Sequence, residues 1–261
     1  MPGPDAELLQ RIERYYDEAP RASATTEEVG PFTLFLQSDP RGWPYYARPR
    51  SGVDADVTVE DVRRVRQRLR ALTVPEQLEW VGEQTPELPQ AARDSGMVVH
   101  EHPLMVLSRP VPATLVDGVE VRRVGAEDPT LGAVQSAVGA GFEESDEVGS
   151  ADAPYVRDRV ASGSMRLLGA FEGSGGGPAV PVGGGSHQPR GAVTELTGIA
   201  VVPRARGRGV GAAITAALVE DARALGVGTV FLSAGTPRVA GVYARVGFVR
   251  VGTACIADLG S

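Results

Sequence analysis

The stretch Val201-Val202-Pro203-Arg204-Ala205-Arg206-Gly207-Arg208-Gly209-Val210-Gly211-Ala212 concentrates the chemistry of this sequence. Three glycines at alternate positions and three arginines stand between an apolar, strand-like run from Leu196 and an Ala/Leu/Val helix pattern reaching about Leu225. A strand that turns through glycines into a helix leaves several backbone N–H groups pointing one way, at the positive end of the helix dipole. Such a turn binds anions, most often phosphate. Glycine lets the backbone approach the ligand and adopt dihedrals other residues avoid. The chain therefore reads as a binder of a phosphorylated cofactor.

Two loop families fit part of this pattern. Gly207-Arg208-Gly209-Val210-Gly211-Ala212 satisfies the dinucleotide motif G-x-G-x-x-G/A. That reading needs an acidic residue about 20 positions on, to hold a ribose hydroxyl. The next strand-like run is 229–233, and no Asp or Glu occurs between Asp221 and Asp258, which weakens it. The nucleotide loop G-x-x-x-x-G-K-[ST] requires a lysine, and the chain has none.

Arg206-x-x-Gly209-x-Gly211, entered through Ile199-Ala200-Val201-Val202-Pro203, resembles the acyl-CoA pyrophosphate loop of the GCN5-related N-acetyltransferase (GNAT) superfamily. A helix over about 210–225, a strand over 229–233 and a helix over about 237–246 follow in the family's order. The second helix leads through Val242-Tyr243-Ala244-Arg245-Val246-Gly247-Phe248, similar to the family's L-Y-x-x-x-G-F. The resemblance covers roughly 119–257. It implies an α/β (α+β) GNAT fold, a mixed central sheet flanked by helices, ordered β-α-α-β-β-β-α-β-α-β.

The resemblance also implies roles. The amides of Gly207, Arg208, Gly209, Val210, Gly211 and Ala212 would cradle the pyrophosphate of acetyl-CoA or another acyl-CoA, with Arg206 and Arg208 adding charge. The pantetheine arm would pair with Ile199, Ala200 and Val201 as an added strand does. Tyr243 would be the general acid for the leaving thiolate; the plain alternative is a packed core aromatic. Glu195 is the candidate base, with an exposed strand glutamate as the alternative. Strand alternation puts Glu195, Thr197 and Ile199 on one face. His187 has a pKa suited to base work, but its glycine-rich surroundings read as a surface loop. Glu143 and Glu144 could face an amine, or join Asp146 and Glu147 as a solvated acidic run.

Acyl transfer to an amine needs a proton removed from the amine, charge stabilised on the thioester oxygen and a proton for the leaving sulfur. No Ser or Cys nucleophile constellation stands out, which fits direct attack by the amine. The expected function is an acyl-CoA-dependent N-acyltransferase, by resemblance an acetyl-CoA:amine N-acetyltransferase with a small-molecule acceptor. A non-catalytic acyl-CoA-binding or regulatory module stays open. So does, on architecture alone, a tandem enzyme like the one that completes mycothiol, acting on an amino-sugar/thiol conjugate.

Composition bounds these readings. The 261 residues, 42% hydrophobic, suit one large or two small domains. A formal net charge of −7 disfavours nucleic-acid binding. All basic residues but histidine are arginine, and asparagine is absent too; both missing types have A-rich codons, which points to a GC-rich bacterial genome. The lone Cys255 excludes an internal disulfide and reads as a packing residue. His100 and His102 alternate on a strand, but no third ligand completes a metal site. No apolar run reaches the roughly 20 residues of a membrane span, and no signal pattern opens the chain. The expectation is a cytoplasmic protein of open oligomeric state, a homodimer being one option.

The first half repeats parts of the second. It opens with an amphipathic helix over 5–17, then aromatic-rich strand candidates over 32–37 and 43–47 around an Asp39–Gly42 turn. Thr58-Val59-Glu60-Asp61 reads as a helix cap with Asp61 at the usual Glu/Gln position. From Ala71-Leu72-Thr73-Val74 to Gly96-Met97-Val98-Val99, a helix end, a strand, a Thr-Pro helix start and a Gly-apolar-Val step match those between Ala224 and Arg250. This is a weak internal repeat, with chance similarity of two β-α-β segments as the alternative. The helix after Thr58 lacks a glycine loop, and Ala92 stands where Tyr243 stands. The first half therefore reads as a degenerate GNAT-like domain over 1–110, with a linker at 111–118 and the catalytic domain over 119–261.

Overall fold

The computed structural model describes residues 4–42, 46–52, 56–112, 115–150, 152–173 and 179–260. Residues 43–45 of an expected strand, 113–114 of the expected linker and 174–178, within a glycine-rich stretch that reads from sequence as a turn, lie outside them. The chain forms two compact units: Met1–Leu104 with Ser233–Pro237 and Arg250–Ser261, and Met105–Leu232 with Arg238–Val249.

In the first unit, helix α1 (Pro4–Arg21) precedes strands β1 (Ala24–Val29), β2 (Phe32–Gln37) and β3 (Ala47–Pro49). Helix α2 (Val59–Ala71), β4 (Leu78–Val81), α3 (Leu88–Asp94) and β5 (Val98–Leu107) follow, and β11 (Phe248–Asp258) completes the set. The strand order is β1-β2-β3-β4-β11-β5. The first three strands are antiparallel, and Ala47 of β3 pairs in parallel with Leu78 of β4. Residues 250–261, which the sequence groups with the second half, fall in this unit because Ala254 to Ala257 pair antiparallel with Val81 to Leu78.

The α2 cap forms as its residues dictate. Asp61 N–H donates to the Thr58 hydroxyl, and Thr58 N–H donates to the Asp61 carboxylate. Val62, Val65 and Leu69 recur at helical spacing and are buried with Phe32, Leu34, Leu78 and Trp80 in one core. Cys255 belongs to this core; burial pushes its thiol up to about 11, so it packs rather than reacts.

The second unit holds β6 (Val119–Val124), α4 (Leu131–Phe142), α5 (Pro154–Ala161), β7 (Arg166–Glu172), β8 (Val180–His187) and β9 (Val193–Val201). Helix α6 (Val210–Ala224), β10 (Thr229–Ser233) and α7 (Pro237–Val246) follow. The order is β10-β9-β8-β7-β6, antiparallel from β6 to β9 and parallel between β9 and β10. Helices α4 and α6 cover opposite faces. A Cβ on Gly184 would lie 2.9 Å from a methyl of Val134 in α4, and one on Gly185 would lie 2.9 Å from Leu218 in α6. Side chains there would force both helices off the sheet.

The α/β class and the mixed sheet flanked by helices are as expected. The repeat is visible in the topology: β1-β2-β3-α2-β4-α3-β5 and β7-β8-β9-α6-β10-α7-β11 each run as three antiparallel strands, a helix, a strand, a helix and a strand.

Candidate active site

The parallel ladder between β9 and β10 is short. It joins Val193, Thr194 and Glu195 to Thr229, Val230 and Phe231, and then stops. Both strands continue, β9 to Val201 and β10 to Ser233. Beyond Glu195 the β10 side of β9 has no ladder partner among the described residues, the condition for taking up an added extended segment, although Arg206 holds the Val201 carbonyl at its far end. Ile199, Ala200 and Val201 lie on this stretch.

A bulge re-aims β9 at that point. Ser186 pairs with Thr197 and Gly184 with Ala200, so β9 carries one residue more than β8 over this interval. Gly198 absorbs it with φ of 61°, a left-handed backbone that costs glycine little. This corrects the expectation that Glu195, Thr197 and Ile199 share a face. The Thr197 hydroxyl lies 3.0 Å from that of Ser186, one residue along β8 from Gly185, whose Cβ direction meets α6. Glu195 and Thr197 thus face the α4 side. Ile199 meets the same Gly185 direction as Ile214 and Leu218, on the α6 side. The inserted residue switches the alternation. The Ser186–Thr197 hydroxyl pair beside half-buried Glu195 is a part of the site that sequence reasoning missed, because its two members lie on different strands.

Past β9, a 3-10 turn over Pro203–Ala205 leads to Gly207 (φ 75°) and Gly209 (φ 92°). Gly209 is the N-cap of α6 and brings no capping side chain. The first intrahelical bond runs from Ala213 N–H to the Gly209 carbonyl. The N–H groups of Val210, Gly211 and Ala212 therefore have no acceptor among the described residues. Orphan donors at the positive end of a 15-residue helix suit an anion.

The loop arginines are engaged elsewhere. Arg206 donates through Nε to the Val201 carbonyl at 2.8 Å, through a terminal nitrogen to the Gly141 carbonyl, and pairs with Glu144. Arg208 pairs with Glu172 and reaches the Asp117 carbonyl. The Asp146 carboxylate accepts from Arg204 N–H at 2.8 Å. The acidic run after α4 is solvated, with Glu143, Glu144, Asp146 and Glu147 all exposed, and Glu144 and Asp146 also tie it to the loop. In this geometry Arg206 braces β9 against α4, and the uncommitted donors of the loop are the backbone amides.

Tyr243 lies on α7 and is 7% exposed. Its ring sits 6.2 Å from that of Phe248, and its hydroxyl has no hydrogen bond among the described residues. Burial pushes its pKa up to about 12, so it keeps its proton at neutral pH. Gly247 ends α7 with φ of 104°, and a Cβ there would lie 1.7 Å from the Arg109 carbonyl oxygen. Ser108 N–H donates to the Gly247 carbonyl at 3.0 Å, so this segment pins the end of the helix that carries Tyr243.

His187 is no surface histidine. It is fully buried, with Nδ1 3.1 Å from the Thr194 hydroxyl and Nε2 2.9 Å from Asp221 of α6. Asp221 also accepts from Arg166 at 3.0 Å. The hydrogen bond from His187 holds the Asp221 carboxyl down at about 2, with Arg166 adding to it. With both ring nitrogens engaged inside the core, His187 clamps α6 to β8 and β9. His100 faces Asp258 at 3.5 Å. Among the described residues no group of three or more His, Cys, Asp or Glu is placed to hold a metal ion. No described helix is long and apolar enough to cross a membrane.

Residues 142–248, which span the opened strand, the loop, α6 and Tyr243, match the model of the acetyltransferase (GNAT) family. Over nearly its whole length the chain is similar in fold to a GCN5-related N-acetyltransferase from Kribbella flavida, with a TM-score of 0.71 at 19% identity, covering 97% of this chain and 96% of that one. A GCN5-related N-acetyltransferase-like protein from Streptococcus suis gives 0.56 at 11% identity, covering 97% and 98%. A tandem GNAT protein from the clavulanic acid biosynthesis pathway gives 0.53 at 18% identity, covering 88% and 79%. No curated protein matches the chain. The match to the family model is thus confined to the second half, and the fold over nearly the whole chain is that of GNAT proteins, a tandem GNAT protein among them.

Proposed function

We propose that the protein transfers an acyl group, acetyl by family habit, from acyl-CoA to the nitrogen of a small-molecule amine. The observation that carries this reading is the opening between β9 and β10 beside an uncapped helix N-terminus. Ladder-free backbone over 196–201 suits an amide-bearing arm, and the α6 amides suit a pyrophosphate. Acyl-CoA would supply the activated thioester. The chain's own groups do the rest.

Glu195 would take the amine proton, through water, from its half-buried position on β9. An amide of the bulged 198–200 segment would donate to the thioester oxygen as it gains charge, a fixed dipole that needs no reorganisation. Tyr243, held protonated by burial, would donate to the leaving sulfur. Against a thiol of ordinary pKa, full proton transfer from a phenol near 12 is uphill by about 5 kcal/mol. Its role is then that of a hydrogen-bond donor to the departing thiolate. Arg206 positions the β9 end, and the amides of 207–212 hold the phosphates. The reading places the protein in the cytoplasm, where acyl-CoA is supplied.

Thermal unfolding tests the cofactor assignment. Acetyl-CoA and CoA at saturation are each expected to raise the melting temperature, by roughly RT ln(1 + [L]/Kd) in free energy. An unchanged melting temperature with both ligands overturns it.

A further inference from the structure

The first unit contains a cavity of about 690 Å³, lined by residues of α1, the β3 end, the approach to α2 and the β4–α3 connection. It lies at the C-terminal ends of the parallel pair β3 and β4, which in the repeat correspond to β9 and β10. Ligands of open α/β sheets bind at such strand ends. The chemistry here differs from that of the second unit. Where α6 presents free amides, α2 closes its first turn with the Thr58–Asp61 box and carries Glu60 and Asp61 there. That end repels a phosphate instead of cradling it.

Among the lining groups, four matter most to a charged ligand. Thr85 is only 8% exposed, yet its hydroxyl makes no hydrogen bond among the described residues. The hydroxyl is therefore open to the cavity, free to donate to or accept from a ligand there. Arg14 and Asp56 both line the cavity and have no ion-pair partner among the described residues. Glu87 accepts from Val57 N–H through one oxygen at 3.3 Å and keeps the other. By contrast Glu13 is committed to Arg48 and Arg50 to Glu28. The charged set open to a ligand is thus one cation and two carboxylates, with the uncharged polar side chains of Gln10, Ser51, Gln84 and Thr85 beside them.

We propose that this cavity binds a zwitterion of the amino-acid class, up to dipeptide size, with its carboxylate at Arg14 and its ammonium at Asp56 and Glu87. A volume of about 690 Å³ is within the range of small-ligand sites. The inference does not rest on the acyl-transfer reading.

Thermal shift and titration calorimetry on the full chain test it, with the twenty proteinogenic amino acids and glycyl dipeptides offered singly. At least one is expected to bind saturably. Arg14→Gln, Asp56→Asn and the near-isosteric Thr85→Val should each weaken that binding by roughly tenfold or more. Acetyl-CoA should bind all variants as it binds the wild type. Absence of binding by every probe overturns the proposal, as does binding that survives all three substitutions, or competition for the site by acetyl-CoA. Loss of acetyl-CoA binding in the wild type would instead strike the proposed function and leave this inference standing.

Discussion

Gly211→Asp separates folding from phosphate binding. Gly211 occupies the first turn of α6, and a Cβ there would meet only Val201 Cγ2, at 3.9 Å, an ordinary contact. The new side chain therefore fits. Without ligand, a carboxylate in the first turn of a helix is favourable by about 0.3–1 kcal/mol, and replacing glycine in a helix adds a few tenths more. The variant should unfold at the wild-type temperature or slightly above. With ligand the sign reverses. One negative charge about 6 Å from one phosphate charge, at an effective dielectric of about 20, costs about 3 kcal/mol. That alone weakens affinity by roughly 100-fold. Calorimetric titration with acetyl-CoA at low salt reads it, and added salt should narrow the gap. A folded variant that binds acetyl-CoA within about threefold of the wild type would refute the cradle, because a charge among its donors cannot be neutral.

Three further outcomes follow. Tyr243→Phe keeps the packing against Phe248 and breaks no hydrogen bond among the described residues, so stability should hold. Turnover should fall by roughly 100- to 1,000-fold, as when one transition-state donor is removed; with Tyr243 titrating near 12, an alkaline limb below about pH 10 that disappears in this variant would contradict the assignment. Gly247→Ala should lower stability by about 3 kcal/mol or more, read by denaturant unfolding, since it combines positive φ with a Cβ on the Arg109 carbonyl oxygen. Asp221 has its folded pKa depressed to about 2 by His187 first and Arg166 second, so its contribution is present above the ordinary carboxylate range and is lost as pH falls toward 2. In Asp221→Asn the stability–pH curve should be flatter over that acid window and lower at neutral pH; an unchanged acid slope would count against the clamp.

What the sequence disclosed follows from locality. The loop at 204–212 and the Tyr243 helix were legible because glycine spacing, helix periodicity and the intervening strand all lie within one short stretch. The Thr58–Asp61 box was legible for the same reason. Strand β1 was not, since Ala-Thr-Thr-Glu-Glu-Val is polar, has no buried residue and gives no apolar alternation. The bulge at Gly198 was hidden because Thr-Gly-Ile is compatible with a regular strand; only the pairing of Gly184 with Ala200 reveals the extra residue. His187 was misplaced because its partner Asp221 lies 34 residues away. The sequence has Arg206 and Arg208 adding charge to the loop; their contacts with Glu144, Glu172 and two distant carbonyls are ones that no spacing rule announces.

The central claim, that the opened strand and the α6 amides serve acyl transfer to nitrogen, is tested most directly by thiol release from acetyl-CoA across a panel of small amines, with the N-acetylated product identified by mass. The account predicts release that depends on the amine, matches product one for one and is lost in Gly211→Asp. Saturable acetyl-CoA binding with no amine-dependent release from any member of the panel would contradict it, and would make this a binding module rather than an enzyme.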